Sequence, residues 1–268
     1  MKKKLWLGFV LVLIPSILTR AEDRNMAHEP FPSQPQKGDV QGTWRIKGGK
    51  KIILSVPPTD MEVDGLSARD IRDIARGAKT GCKVQRDAGT FFFAGPFPAS
   101  REKSKRFCFR PQPEYGGRLE GLDLKVPAGD GEALSSTLFL CAVHDVSCGY
   151  AAEMKGAGYG GISLDQLMKL RAAGVTAQYV AALGEIGYRN LPPDHLVKLG
   201  ALGVSTDYMK SLFEIGYQNV PVDDLILLRV HRVPIGFIQS VIGTSHPLPT
   251  IRELALIWIH GDKVSRFR

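Results

Sequence analysis

Residues 134 to 262 repeat with a period of 29, and no other feature limits the folds open to this chain so strongly. Leu167, Leu196, Leu225 and Leu254 are in register, as are Leu170, Leu199, Leu228 and Ile257. Val175, Val204 and Val233 form a third column, and Tyr179, Tyr208 and Phe237 a fourth. The pair Gly187-Tyr188 recurs as Gly216-Tyr217 and, one period upstream, as Gly158-Tyr159. Val146 and Tyr150 fall on the valine and tyrosine columns, so a degenerate copy covers roughly 134–161. A fixed period of this length marks stacked supersecondary units, none of which can bury its apolar face alone.

The punctuation of one copy says what the unit is. Asp165 to Ala173 carries Leu167 and Leu170 at helical spacing, with an acid in the first turn where the helix dipole favours it, and Gly174 supplies a left-handed stop. Thr176 is placed to cap a second helix bearing Tyr179, Leu183 and Ile186, which Gly187 ends. Each copy therefore predicts an αα-hairpin, the last one truncated after its first helix. Tyr115, Leu119 and Leu122 repeat the spacing of the second helix, which predicts a half-repeat within 111–133.

Upstream of the repeats the pattern is strand-like. Thr43 to Lys47 and Lys51 to Val56 flank Gly48-Gly49; Cys82 to Arg86 and Thr90 to Ala94 flank Asp87-Ala88-Gly89; Arg106 to Arg110 follows a polar loop. Between the two sets, Ser67 to Ala78 carries Leu66, Ile71, Ile74 and Ala75 at helical spacing. The expected fold class is α+β: an N-terminal antiparallel β-sheet over 42–110 with one short helix, then a C-terminal array of αα-hairpins over 134–268.

Residues 1–21 hold Lys2, Lys3 and Lys4, a fourteen-residue apolar run from Leu5 to Leu18, and a small-residue site ending at Ala21, which is the pattern of a secretory signal peptide. The run is shorter than the roughly 18 apolar residues of a spanning helix, so no integral span is expected after cleavage. Export places the chain in the periplasm or outside the cell. Residues 22–41, with three prolines, read as a flexible leader. The whole chain has a formal charge of +8, but Lys2, Lys3, Lys4 and Arg20 leave with the signal, so 31 basic residues face 27 acidic ones and half of the charge goes. A nucleic-acid partner is not expected from what remains.

The chemistry-bearing residues lack context. Ser100-x-x-Lys103, Lys79-Thr80-Gly81 and Tyr188-x-Asn190 echo a penicillin-recognising serine enzyme in the wrong chain order. Gly156 to Gly161 fits a dinucleotide fingerprint but follows a helix, where a glycine-rich stop explains it. Cys141-x-x-His144-x-x-x-Cys148 reads first as a local disulfide between Cys141 and Cys148, then as free thiols, then as zinc ligands lacking a fourth member. His144, His231 and His260 share a column too widely spaced for adjacent copies to share a metal. Arg101, Lys103, Lys105 and Arg106 beside Phe107 and Phe109 read as a solvated hairpin. No catalytic, cofactor or metal residue is therefore assigned. Positions that are Lys169 and Lys198 become Leu227 and Leu256, which with Trp258 form a candidate interface.

The stretch LDQLMKLRAAGVTAQYVAALGEIGY and its copies resemble the tandem leucine, glycine-valine and glycine-tyrosine repeats of many exported bacterial proteins of unknown function. Similar repeats occur in the C-terminal extensions of membrane-bound metallopeptidase sensors of the BlaR type. RDAGTFFFAGPF and FRPQPEYGGRLEGL resemble the β-region and junction before such repeats. The resemblance implies fold and location more than activity, because the catalytic part of those sensors lies outside the shared region. Their zinc motif is absent here: His28-Glu29 is followed by proline with no second histidine. The expected function is that of an exported, non-catalytic binding or scaffold protein, whose partner is a protein of the cell envelope or a second copy of the chain. The alternatives are a domain of a β-lactam or metallopeptidase signalling system and a structural envelope component.

Overall fold

The computed structural model describes residues 26–27, 31–57, 59–67, 81–95, 104–126, 131–243 and 247–264. The signal-like residues 1–21 lie outside them. Seven antiparallel strands form one sheet: β1 (Met26–Ala27), β2 (Val40–Lys47), β3 (Lys51–Val56), β4 (Thr59–Ser67), β5 (Gly81–Arg86), β6 (Gly89–Ala94) and β7 (Lys105–Pro111), in the order β1-β5-β6-β7-β2-β3-β4. Two meanders, β2-β3-β4 and β5-β6-β7, are joined where β7 pairs with β2.

The alternation of the strands places Phe91, Phe93, Phe107, Phe109 and Trp44 on one face, all buried. Helix α2 (Glu132–Val143) covers that face, and its Phe139 ring meets Phe109 at 5.4 Å and Phe107 at 6.0 Å. The alternating phenylalanines are thus core, worth about 2–3 kcal/mol each in burial, and are not free to stack on bases.

Two expectations change here. Leu66, expected in a helix, is a buried residue of β4, and Ser67 is the last residue of that strand; the rest of the expected helix lies outside the described residues. Val63 and Leu66 of β4 are buried, and Met61 pairs with Leu54 of β3. The leader is also not wholly free of the sheet: Met26 and Ala27 pair with Val84 and Lys83, and Asp39 holds Arg110 at 3.2 Å. Burial alone would raise the Asp39 carboxyl, but hydrogen bonds from Arg110, the Gln36 amide and Cys108 outweigh it and hold it below its ordinary value.

Among the described residues, ten α-helices form two layers. The first layer is α2, α4 (Leu164–Ala172), α6 (Pro193–Ala201), α8 (Val222–Val230) and α10 (Ile251–Val264). The second is α1 (Glu114–Glu120), α3 (Cys148–Met154), α5 (Ala177–Glu185), α7 (Thr206–Glu214) and α9 (Ile235–Ile242). The array is therefore offset: it starts on a second-layer helix and its last described helix belongs to the first layer.

The columns have structural reasons. Asp145, Gly174, Gly203 and Arg232 all take positive φ, between 52° and 72°, where the first helix of each copy stops. The following valines Val146, Val175, Val204 and Val233 send their N–H back to Cys141, Leu170, Leu199 and Leu228, closing each helix with a Schellman bond. Ser163 adds a full capping box to α4 through Gln166, a pairing that the Ser-x-x-Gln spacing of the sequence carries. In α1, Asp123 takes φ 65° at the place of Gly187, and the Leu124 N–H bonds to Leu119 as that of Tyr188 bonds to Leu183. The expected half-repeat is α1.

Candidate docking surface

Two tyrosine ladders hold the copies in register and so position every exposed side chain on the array. In the first, Tyr150, Tyr179 and Tyr208 each donate a hydroxyl proton to the carbonyl of Val175, Val204 or Val233, 25 residues on. Tyr115 does the same to Val146, across 31 residues. In the second, Tyr159, Tyr188 and Tyr217 donate to Leu191, Val220 and Pro249, each 32 residues on. Every phenol therefore satisfies a carbonyl in the next copy. Burial pushes Tyr150 and Tyr179 up to about 12.

A third set of contacts runs the other way along the array. Arg229 donates to the Leu202 carbonyl at 2.9 Å and Trp258 to that of His231 at 2.9 Å, each reaching back to the helix end one copy earlier. In the same column Arg171 reaches Asp145, through both its backbone carbonyl and its carboxylate. Gly200 occupies that column in α6, and there the backbones close up: an added Cβ would lie 2.6 Å from the Ala173 carbonyl oxygen.

The sheet closes the entry end of the array through the β5-β6 turn. Arg86 of β5 is buried; it donates to the Ala142 and Val143 carbonyls at the end of α2 and lies 3.4 Å from Asp145. Asp145 thus sits between Arg86 of the sheet and Arg171 of the array. Asp87 accepts from the Cys148 N–H at the start of α3 at 2.9 Å. The carboxylate caps that helix and complements its dipole.

The last described helix of the array carries exposed apolar side chains. On α10, Ile251, Leu254 and Ala255 are buried, whereas Leu256, Ile257, Trp258 and Ile259 are 53%, 43%, 39% and 38% exposed. The column of Ile257 is fully buried in the earlier copies, as Leu170, Leu199 and Leu228. A notch of about 460 Å³ lies beside α10, lined by His231, Phe237, Ile257, Trp258, Ile259 and Gly261. The Trp258 ring packs on Phe237 at 4.8 Å, so its indole is anchored while one part faces solvent. Of the expected interface residues, Trp258 lines this notch, while Leu256 is exposed on another side of α10. Leu227 is half-buried on α8 instead, and Ile257 and Ile259 were missed. The column of Ile257 is covered elsewhere, so its exposure has no sequence signal, whereas the column of Ile259 is exposed at Ala172, Ala201 and Val230 as well.

A second cleft of about 330 Å³ lies between α5 and α7, lined by residues including Tyr188, Met209, Phe213 and Tyr217, with Glu185 and Lys210 at hand. Phe213 is 60% exposed there.

The remaining candidates are dispersed. All four cysteines are free thiols, so the expected Cys141–Cys148 bond is not formed. Burial pushes Cys82, Cys108 and Cys141 up to about 12, which removes them as nucleophiles near neutral pH. His144 and His231 are helix caps and His260 is exposed. Among the described residues no group of three or more His, Cys, Asp or Glu side chains is placed to hold a metal, and no single helix is long and apolar enough to cross a membrane. Gly158, with φ 95°, ends a π-turn (Lys155–Tyr159) after α3, as a helix stop does. Ser100, Lys103, Lys79 and Thr80 lie outside the described residues, as does Arg101. Arg106 lies at the start of β7, its guanidinium 5.0 Å from the Phe31 ring centroid.

No family model, curated protein or solved structure matches the chain.

Proposed function

We propose that this chain is an exported, non-catalytic binding protein of the cell envelope, whose helical array presents a protein-docking surface and whose sheet holds the base of that array. The observation that carries the reading is the row Leu256, Ile257, Trp258 and Ile259 left exposed on α10, where the earlier copies bury the equivalent of Ile257. Ile257, Trp258 and Ile259 line one notch, and a partly exposed tryptophan held against Phe237 is the kind of anchor that protein interfaces use at their centre. The export half of the reading rests on the lysine-rich and apolar segments of residues 2–18. Burial pushes the Cys82 and Cys141 thiols up to about 12, so neither is a thiolate near neutral pH.

A photo-crosslinking residue at Leu256, in the chain expressed with its leader, is expected to yield a discrete protein adduct in the envelope fraction. The same residue at Gln178, exposed on α5, is the control and should yield none. No adduct from either position would sink the proposal.

A further inference from the structure

We infer that residues 31–39 form a latched strap over the outer face of the sheet, and that its opening uncovers Phe92 and Cys108 while the core of the sheet stays folded.

Strand pairing fixes which residues share that face. Lys83, Phe92, Cys108 and Gln41 stand opposite one another on β5, β6, β7 and β2, and Thr43 stands opposite Arg106. By alternation they point away from Phe91, Phe93, Phe107 and Phe109, and so away from α2. Solvent reaches much of this outer face, where Gln41, Thr43, Gln85 and Arg106 are exposed, yet Phe92 and Cys108 are buried. The segment that reaches them lies between strands on opposite sides of the β5-β6-β7 meander, since Ala27 pairs with β5 and Val40 with β7. At one end the Phe31 ring lies against the Arg106 guanidinium. At the other, the buried Asp39 carboxylate accepts from two nitrogens of Arg110, each at 3.2 Å, and from the Cys108 thiol at 3.3 Å. Arg110 in turn lies over the Phe92 ring, 5.4 Å from its centroid.

A strap of this composition is held by its ends. Ser33, Gln34, Pro35, Gln36 and Lys37 are all exposed, so its middle buries no apolar side chain. The turn that aims Asp39 is closed twice: the Asp39 N–H donates to the Gln36 carbonyl, and the Gln36 N–H donates to the Asp39 carboxylate. Gly38 sits in that turn at φ 89°, where a Cβ would stand 3.1 Å from the Ser135 hydroxyl oxygen. Segments with few buried apolar contacts open locally at less cost than the whole fold. Phe92 and Cys108 also lie outside the main hydrophobic cluster, which holds Phe91, Phe93, Phe107 and Phe109, so that cluster does not depend on the strap. Opening changes the chemistry of one thiol. Burial, then the hydrogen bond and charge of Asp39, push Cys108 up to about 12; once released it falls back toward its ordinary value and becomes reactive.

N-ethylmaleimide labelling of the purified chain, read at each cysteine by peptide mass spectrometry, tests this. Cys82 of β5 is the internal control, because it is buried within the main cluster and labels only when the core opens. In the unaltered chain Cys82 and Cys108 are both expected to label far more slowly than in the denatured chain. Asp39→Ala should speed Cys108 about tenfold and Phe31→Ala about threefold, with Cys82 unchanged in both. A Cys108 rate that neither substitution raises overturns the inference. So does equal acceleration of Cys82, which reports opening of the whole sheet, and so does a Cys108 that labels at the denatured rate in the unaltered chain. A rise confined to Asp39→Ala reports only the hole left by one side chain and overturns it as well. If Asp39→Ala does not fold, Phe31→Ala decides alone, since it leaves the Asp39 latch in place.

Discussion

At the scale of single residues, the tyrosines do more than fill space. Each hydroxyl reaches a carbonyl in the following copy, and the acceptors Val175, Val204 and Val233 are buried residues whose own N–H groups already close a helix. Removing one hydroxyl leaves a buried carbonyl unpaired, so Tyr179→Phe is expected to cost about 1 kcal/mol. The pH dependence carries the same signature. Tyr179 ionises near 12 in the folded chain against an ordinary 10, so its contribution is complete below pH 10 and lost as pH rises through about 12. Thermal unfolding between pH 8 and 12 should show a falling melting temperature above pH 10, with a shallower fall in Tyr179→Phe. An equal slope in both proteins would mean that the phenol is not the group responsible. The tyrosine column was legible in the sequence, but its partners were not, since a backbone carbonyl leaves no mark in the residue type that carries it.

At the scale of elements, helix boundaries were the most readable part of the chain. Gly174, Thr176 and Gly187 occupy the stop, cap and stop that their chemistry implies. Strand β4 was not readable in the same way, because Leu66 belongs to two patterns at once and only pairing with β3 decides between them. Column 171 shows how an element tolerates different residues: Arg171, Arg229 and Trp258 bond back to the preceding copy, while Gly200 lets α6 approach the end of α4 directly. A methyl group at Gly200 would meet both the Ala173 carbonyl oxygen and a Val175 methyl inside normal contact. Gly200→Ala is therefore expected to destabilise the array by about 1–3 kcal/mol despite improving helix propensity. Chemical denaturation measures this, and a neutral or stabilising effect would show that α4 and α6 can separate without cost.

At the scale of the whole molecule, stability is distributed along one direction. Copies contact their neighbours and little else, so the free energy of opening follows the number of neighbours a helix has. Helices α2 and α3 are held by the sheet as well as by the next copy, through Phe139, Arg86 and Asp87. Helix α10 has α8 on one side and no described helix on the other. Amide hydrogen exchange should give protection that declines from α2 towards α10. Uniform protection would mean that the array and sheet open as one unit. The candidate site was partly legible: Leu256 and Trp258 stood out because they depart from their columns, whereas Ile257 conforms to a column whose earlier members are buried and so carries no mark of its own.

The offset layers and fixed tether lengths also govern how a chain like this changes length. Excision of residues 177–205 would bring Tyr208 into the role of Tyr179 and present Val220 to Tyr159 in place of Leu191, so every rung keeps a donor and an acceptor. Losing 28 or 30 residues instead would rotate each later helix by about 100° against its neighbour. The six extra residues between Tyr115 and Tyr150 sit at the junction with the sheet, before the regular copies begin. Beyond that junction the gene for such a protein is free to lengthen or shorten only in integers.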